Sequence, residues 1–229
     1  WEDAHPLGRA YRKYGKGYGR PFLFPDIKSI GANPEQSIAS WTELSSLYQE
    51  KGRAYHNLSH ISYMLSLMDE HLPTEAKSVE LELAIWYHDV IYDPLSKENE
   101  LRSAELAKGR LSEISNLSIE SIDRIFLLIM STQGHLPRIE GAYRLENEWM
   151  LDLDLSILGS NKEAYLLYTK QIRREYHMYA QDDYRLGRSQ ILKTFLERKK
   201  IYFSDLFQEL FEEKARDNLA KEIEKLSKK

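Results

Sequence analysis

Three pairs of residues have the types and spacing to do chemistry in this chain: His56 and His60 in YHNLSH, His88 and Asp89 in ELAIWYHDVIYDP, and Asp152 and Asp154 in MLDLDLSILG. His88 and Asp89 are set among Leu83, Ala84, Ile85, Trp86, Val90 and Ile91, a run that reads as a buried helix. Ionisable groups in such a setting are costly unless a partner or a metal satisfies them. A shared cation accommodates imidazoles and carboxylates drawn from three segments.

The local readings leave alternatives open. If a helix has begun by His56, then His56 and His60 lie one turn apart on one face; if Asn57 or Ser59 caps it, His56 stays just outside. His88 and Asp89 point about 100° apart around a helix, and both reach a cation approaching between those directions. Asp152 and Asp154 are flanked by Met150, Leu151, Leu153, Leu155, Ile157 and Leu158, so at least one carboxylate points toward the core. Alternatively, one of them caps the helix through Ser156 and the other faces water.

Helices must position these groups. Asn33 followed by Pro34 is an N-cap with proline at the first helical position, and Ile38, Trp41, Leu44, Leu47 and Tyr48 then recur at helical spacing. Ile61, Met64, Leu65 and Met68 make a second stripe; Val79 to Trp86 make a third. Asn99 to Leu111 reads as a polar helix, and Ile119 to Met130 as an apolar one after the cap candidate Ser118. Ala164 to Ala180, Asp183 to Lys199 and Ser204 to Leu226 complete the series, and no sustained alternation signals a strand. The expectation is an all-α fold with a single domain over residues 34–229. Residues 1–33, rich in Gly, Tyr, Arg and Lys, are expected to form an irregular arm.

Composition narrows the function classes. With 229 residues, 42% hydrophobic and 30% charged, the chain buries one good core. A net charge of -4 spread along the sequence argues against a binder of long nucleic acids or of anionic membranes. The absence of cysteine removes disulfides and thiolate ligands. No window approaches a membrane span and the first residues lack the apolar core of a secretory signal, so a cytoplasmic protein is expected.

A histidine on an early helix, a buried His-Asp dipeptide and a distant aspartate together resemble the HD superfamily of metal-dependent phosphohydrolases. The segments RAYHNLSHI, YHDVIYDP, NELRSAELA, LDLDLSILG and GRSQILKTFLERKKIY resemble a branch of predicted HD phosphohydrolases, from about Trp41 to the C-terminus. The resemblance implies an HD-type helical bundle with His60, His88, Asp89 and Asp154 as metal ligands. His56 and Asp152 are their substitutes, or partners that orient them. Two imidazoles and two carboxylates suit Mn²⁺, Fe²⁺, Co²⁺, Ni²⁺ or Zn²⁺ better than Ca²⁺, and Mg²⁺ less clearly.

The implied reaction is hydrolysis, by metal-activated water, of a phosphate ester or anhydride in a nucleotide or another small phosphorylated metabolite. Glu100 and Asp93 are candidates to relay the proton, although Asp93 also reads as the cap of the turn before Pro94. His135, after an apolar helix, is a candidate to face the substrate, and Arg173, Arg174 and Arg188 are candidates to clamp phosphate oxygens. Two other functions fit the same residues. One is a di-iron oxygenase, with His56, His135 and Asp152 as the additional ligands; the other is a non-catalytic nucleotide-binding or signalling module. The oligomeric state is left open.

Overall fold

The computed structural model describes residues 30–228, in which nine α-helices and no strand occur. They are α1 (Pro34–Leu47), α2 (Leu58–His71), α3 (Val79–Tyr87), α4 (Asn99–Ile114), α5 (Ile119–Ser131), α6 (Arg144–Leu155), α7 (Lys162–Glu175), α8 (Gln181–Glu197) and α9 (Asp205–Ser227). The expected arm falls almost wholly outside the described residues. Of its last residues, Ile30 and Ala32 are buried in the core.

Sequence punctuation sets the helix starts. The Asn33 side chain accepts from Gln36 N at 2.9 Å and the Gln36 side chain accepts from Asn33 N at 2.8 Å, a reciprocal capping box with Pro34 in the first turn. Ser118 caps α5 through Ser121 N. Asn57 caps α2 by accepting from Ser59 N, so His60 lies in the first turn of that helix and His56 lies just before it.

Helix α3 carries apolar residues all round, and such a helix is stable only when enclosed. Leu81, Leu83, Ala84, Ile85 and Trp86 are all fully buried, and α2, α4, α5 and α6 pack around them. The helix ends at Tyr87, earlier than the apolar run suggests: His88 is its C-cap and Asp89 stands in the turn beyond. The dipeptide is therefore at the end of a buried helix and not inside one.

Helices α8 and α9 pack on each other. The short 3₁₀ segment Ser156–Gly159, directly after α6, lies against α9 so closely that a Cβ on Gly159 would come within 2.6 Å of Phe211 Cβ and 2.7 Å of its carbonyl oxygen. Only glycine permits that approach. It fixes the end of α6, where Asp154 sits, relative to the C-terminal helix.

Candidate metal centre

Three chain segments deliver their donors to one point. His60 comes from the first turn of α2, His88 from the cap of α3 and Asp154 from the last turn of α6. His60 Nε2 lies 3.3 Å from His88 Nε2 and 3.2 Å from Asp154 Oδ1, and His88 Nε2 lies 3.7 Å from that same oxygen. Asp89 Oδ2 is 3.0 Å from His88 Nε2 and 3.7 Å from His60 Nε2. Donor atoms held by one cation at about 2.1 Å sit about 3.0 Å apart at right angles and about 3.4 Å apart in a tetrahedron. His60, His88 and Asp154 could thus hold a metal ion, with Asp89 beside them.

The chemistry of the donors agrees with that geometry. His88 Nδ1 donates to Ile85 O at 2.9 Å, which orients the ring so that Nε2 faces the other donors. Burial lowers the affinity of His60 for a proton, and its imidazole stays below the usual range despite Asp154. Burial also opposes charge on His88, but Asp89 and Asp154 outweigh it and hold that imidazole high. Burial works to raise Asp89 and Asp154 too; His88 and His56 outweigh it at Asp89, and hydrogen bonds from His135, His60 and His88 do so at Asp154, so both carboxyls stay low. Two carboxylates kept ionised beside two imidazole Nε2 atoms are matched to a divalent cation, which would displace the protons those nitrogens carry.

Asp89 and Asp154 also line a cavity of about 650 Å³, so the donors open onto space that a small molecule can fill. His56, Asp93, Glu100, His135 and Arg188 line it as well. A second groove, about 530 Å³ between α7 and α9, contains none of the clustered donors.

Several neighbours are positioned by contacts that sequence reasoning missed. Glu175, at the end of α7, is buried and accepts three backbone N–H groups through Oε1: Ala54 at 2.8 Å, Tyr55 at 2.7 Å and His56 at 2.9 Å. Its Oε2 takes His56 Nδ1 at 2.7 Å and the Tyr92 hydroxyl at 3.2 Å. Burial alone would raise the Glu175 carboxyl, but His56 and these N–H groups hold it below the usual carboxylate range. Burial opposes charge on His56, and Asp89 and Glu175 together overcome it, raising the imidazole. The ring stacks on Tyr92 with centroids 4.2 Å apart. A signal for Glu175 was present: it continues the buried α7 stripe of Tyr165, Tyr168 and Ile172 at helical spacing.

Arg53 is the second unforeseen residue. Its guanidinium donates to the carbonyls of His56 at 3.2 Å, Asp89 at 2.6 Å and Val90 at 2.7 Å, joining the approach to α2 with the turn after α3. Tyr55 covers His60 from outside, with ring centroids 4.8 Å apart.

Compared with known proteins, the chain matches no family model, no curated protein and no solved structure. The centre is therefore read from its own residues.

The other anticipated residues take varied positions. His135, in the left-handed region at φ 51°, places Nε2 3.0 Å from Asp154 Oδ2. Asp93 forms the expected turn: Oδ1 accepts from Leu95 N, while Asn99 bonds its backbone. Arg188 bonds Glu222 at 2.9 and 3.2 Å and the Tyr168 hydroxyl at 3.3 Å, so its charge is already neutralised. Arg173 donates to the carbonyls of Tyr176 and Tyr179 and to Gln181.

Asp152 is a carboxylate that points into the core, as its apolar flanks indicate, and the alternative of a cap through Ser156 does not form. It is fully buried, neither facing water nor joining the cluster, and it accepts from Phe203 N, Ser204 N and Ser204 Oγ at 2.8, 2.8 and 2.6 Å. It thereby braces the start of α9, whereas Ser156 Oγ bonds Leu153 O. Burial pushes its carboxyl up to about 6 against the pull of those three donors.

Proposed function

We propose that this protein is a metal-dependent phosphohydrolase that cleaves a phosphate ester or anhydride of a small phosphorylated metabolite, a nucleotide among them. One observation carries the reading: two imidazole nitrogens and an aspartate oxygen converge within 3.2 to 3.7 Å, with Asp89 alongside, and the two aspartates of the cluster line a metabolite-sized cavity. His60, His88, Asp89 and Asp154 would hold the ion, and the donor set suits Mn²⁺, Fe²⁺, Co²⁺, Ni²⁺ or Zn²⁺. Such an ion supplies Lewis acidity toward a phosphoryl oxygen and lowers the pKa of water.

The remaining chemistry belongs to side chains on the cavity wall. Glu100, in the first turn of α4, takes the proton of the attacking water; Asp93 is the weaker candidate because its Oδ1 is engaged with Leu95 N. His56, tied through Nδ1 to Glu175, turns its other edge to the cavity and donates to a substrate oxygen. His135 steadies Asp154 from the far side of its carboxylate.

The test is elemental analysis of the purified protein followed by a screen of phosphate esters and nucleotides with Mn²⁺, Co²⁺, Ni²⁺ and Zn²⁺. The expected result is bound metal and turnover in the wild type, and loss of both in His88→Ala and Asp89→Ala. Unchanged turnover in Asp89→Ala overturns the assignment. Iron with oxygen uptake and no hydrolysis makes the protein an oxygenase, and nucleotide binding without turnover makes it a binding module.

A further inference from the structure

Two arginines line the cavity, and they differ in one respect. Arg188 is paired with Glu222 through two hydrogen bonds, so it adds little net charge to the cavity. Arg198, the C-cap of α8, donates Nη1 to His135 O at 3.1 Å and Nη2 to Gly134 O at 3.0 Å, and its guanidinium lies over the Phe195 ring at 4.7 Å. No carboxylate partners it among the described residues.

A guanidinium carries five N–H donors, and two carbonyls leave three of them unused. Neutral carbonyls also leave the charge uncompensated. Burial pushes Arg198 below the usual arginine range, with no acidic group opposing the shift. The other charged groups on the cavity wall include the carboxylates of Asp89, Asp93, Glu100, Asp154 and Asp183, which repel an anion. An anionic substrate that enters there needs a fixed positive group besides the ion, and a planar fork backed by an aromatic ring is matched to a phosphate or carboxylate.

We infer that Arg198 is the anion anchor of this cavity, binding an oxygen pair of a substrate phosphate or carboxylate through the donors that face away from the 134–135 loop. The inference rests on the phosphohydrolase reading, and it names a specificity residue in place of Arg173 and Arg188. Because the same guanidinium holds the two carbonyls around His135, whose backbone is in the strained left-handed region, Arg198 ties substrate grip to the loop that touches Asp154.

The experiment measures inorganic phosphate and pyrophosphate binding by calorimetry to Mn²⁺-loaded wild type, Arg198→Lys and Arg198→Gln, alongside metal content, thermal unfolding and steady-state kinetics on p-nitrophenyl phosphate. Arg198→Gln is expected to weaken anion binding about 10- to 100-fold and to raise KM far more than it lowers kcat, with metal content retained. Arg198→Lys is expected to fall between, since it keeps the charge and loses the fork. Equal losses for both anions place the contact on the phosphoryl group at the metal, and a larger loss for pyrophosphate places it on a second anionic group; either result supports the anchor. Unchanged anion binding in Arg198→Gln overturns it, as does loss of metal or kcat with unchanged affinity, which would leave Arg198 a brace for the loop. Failure of wild type to bind either anion also overturns it. Binding that depends on Arg198 without turnover of any phosphate ester retains the anchor and overturns the hydrolase reading alone.

Discussion

His56 and Glu175, separated by 119 residues of chain, meet through a 2.7 Å bond from Nδ1 to Oε2. The bond joins the loop before α2 to the end of α7, and the same carboxylate gathers the backbone N–H groups of Ala54, Tyr55 and His56. A carboxylate with this many donors is an organising element of the loop, and its removal strands several buried N–H groups at once.

Glu175→Ala should therefore destabilise the protein by about 3 kcal/mol at neutral pH, read by urea denaturation. The pH dependence has a definite sign. The folded-state carboxyl lies below its unfolded value, so its contribution is complete above the ordinary carboxylate range and is lost as the pH falls through the folded-state value. The stability gap between wild type and Glu175→Gln should narrow on acidification from pH 7 toward pH 3. A gap that widens in acid contradicts this.

The two aspartates of LDLDL should give opposite phenotypes. Asp154→Asn is expected to lose bound metal and to unfold in urea near the midpoint of chelator-treated wild type. Asp152→Ala is expected to keep the metal site while losing about 2 to 4 kcal/mol, because Phe203 N, Ser204 N and Ser204 Oγ lose their acceptor. Metal stoichiometry and urea midpoints on both variants check the pair, and metal loss in both would rule out the separation of roles.

Chelation should lower the melting temperature of metal-loaded protein, and Mn²⁺ or Zn²⁺ should restore it. An ion bound to the folded state alone stabilises by about 2.7 kcal/mol at a hundredfold excess over its Kd. In His88→Ala the shift should vanish. Scanning fluorimetry with and without chelator settles the matter, and equal shifts in both proteins would disconnect the ion from His88.

Gly159→Ala should cost about 1 to 3 kcal/mol, since the new methyl meets the backbone of Phe211 and α9 has to move. Gly187, where nothing lies within 4 Å of an added Cβ, is the control: alanine there should leave the urea midpoint nearly unchanged or raise it. Equal midpoints for the two variants would mean that the close approach carries no energetic weight.

The helices were legible because their signals are local. Ile122, Ile125 and Ile129 sit one turn apart and are buried together, and Asn33 and Ser118 cap as their positions indicate. That histidines and aspartates set among apolar residues need a common partner was legible too, whereas the choice of His60 and Asp154 within their pairs came from the family resemblance and not from the stripes. The choice between Asp152 and Asp154 was open in the sequence, although residues two apart on a helix point to nearly opposite sides, so one cavity cannot receive both. Glu175 was legible only as a position on the buried α7 stripe, and Arg53 not at all, because each serves backbone atoms distant in sequence, and backbone donors and acceptors carry no residue signature.

The donors at residues 60, 88 and 154 lie on three helical segments, and the sequence contains no cysteine to cross-link them. A cation gripped there ties together positions 94 residues apart, and because it binds only the folded arrangement its binding energy is folding energy. Under the proposed function one ion would serve both the chemistry and the fold, and a cell that withholds it would weaken the protein as well as silence it.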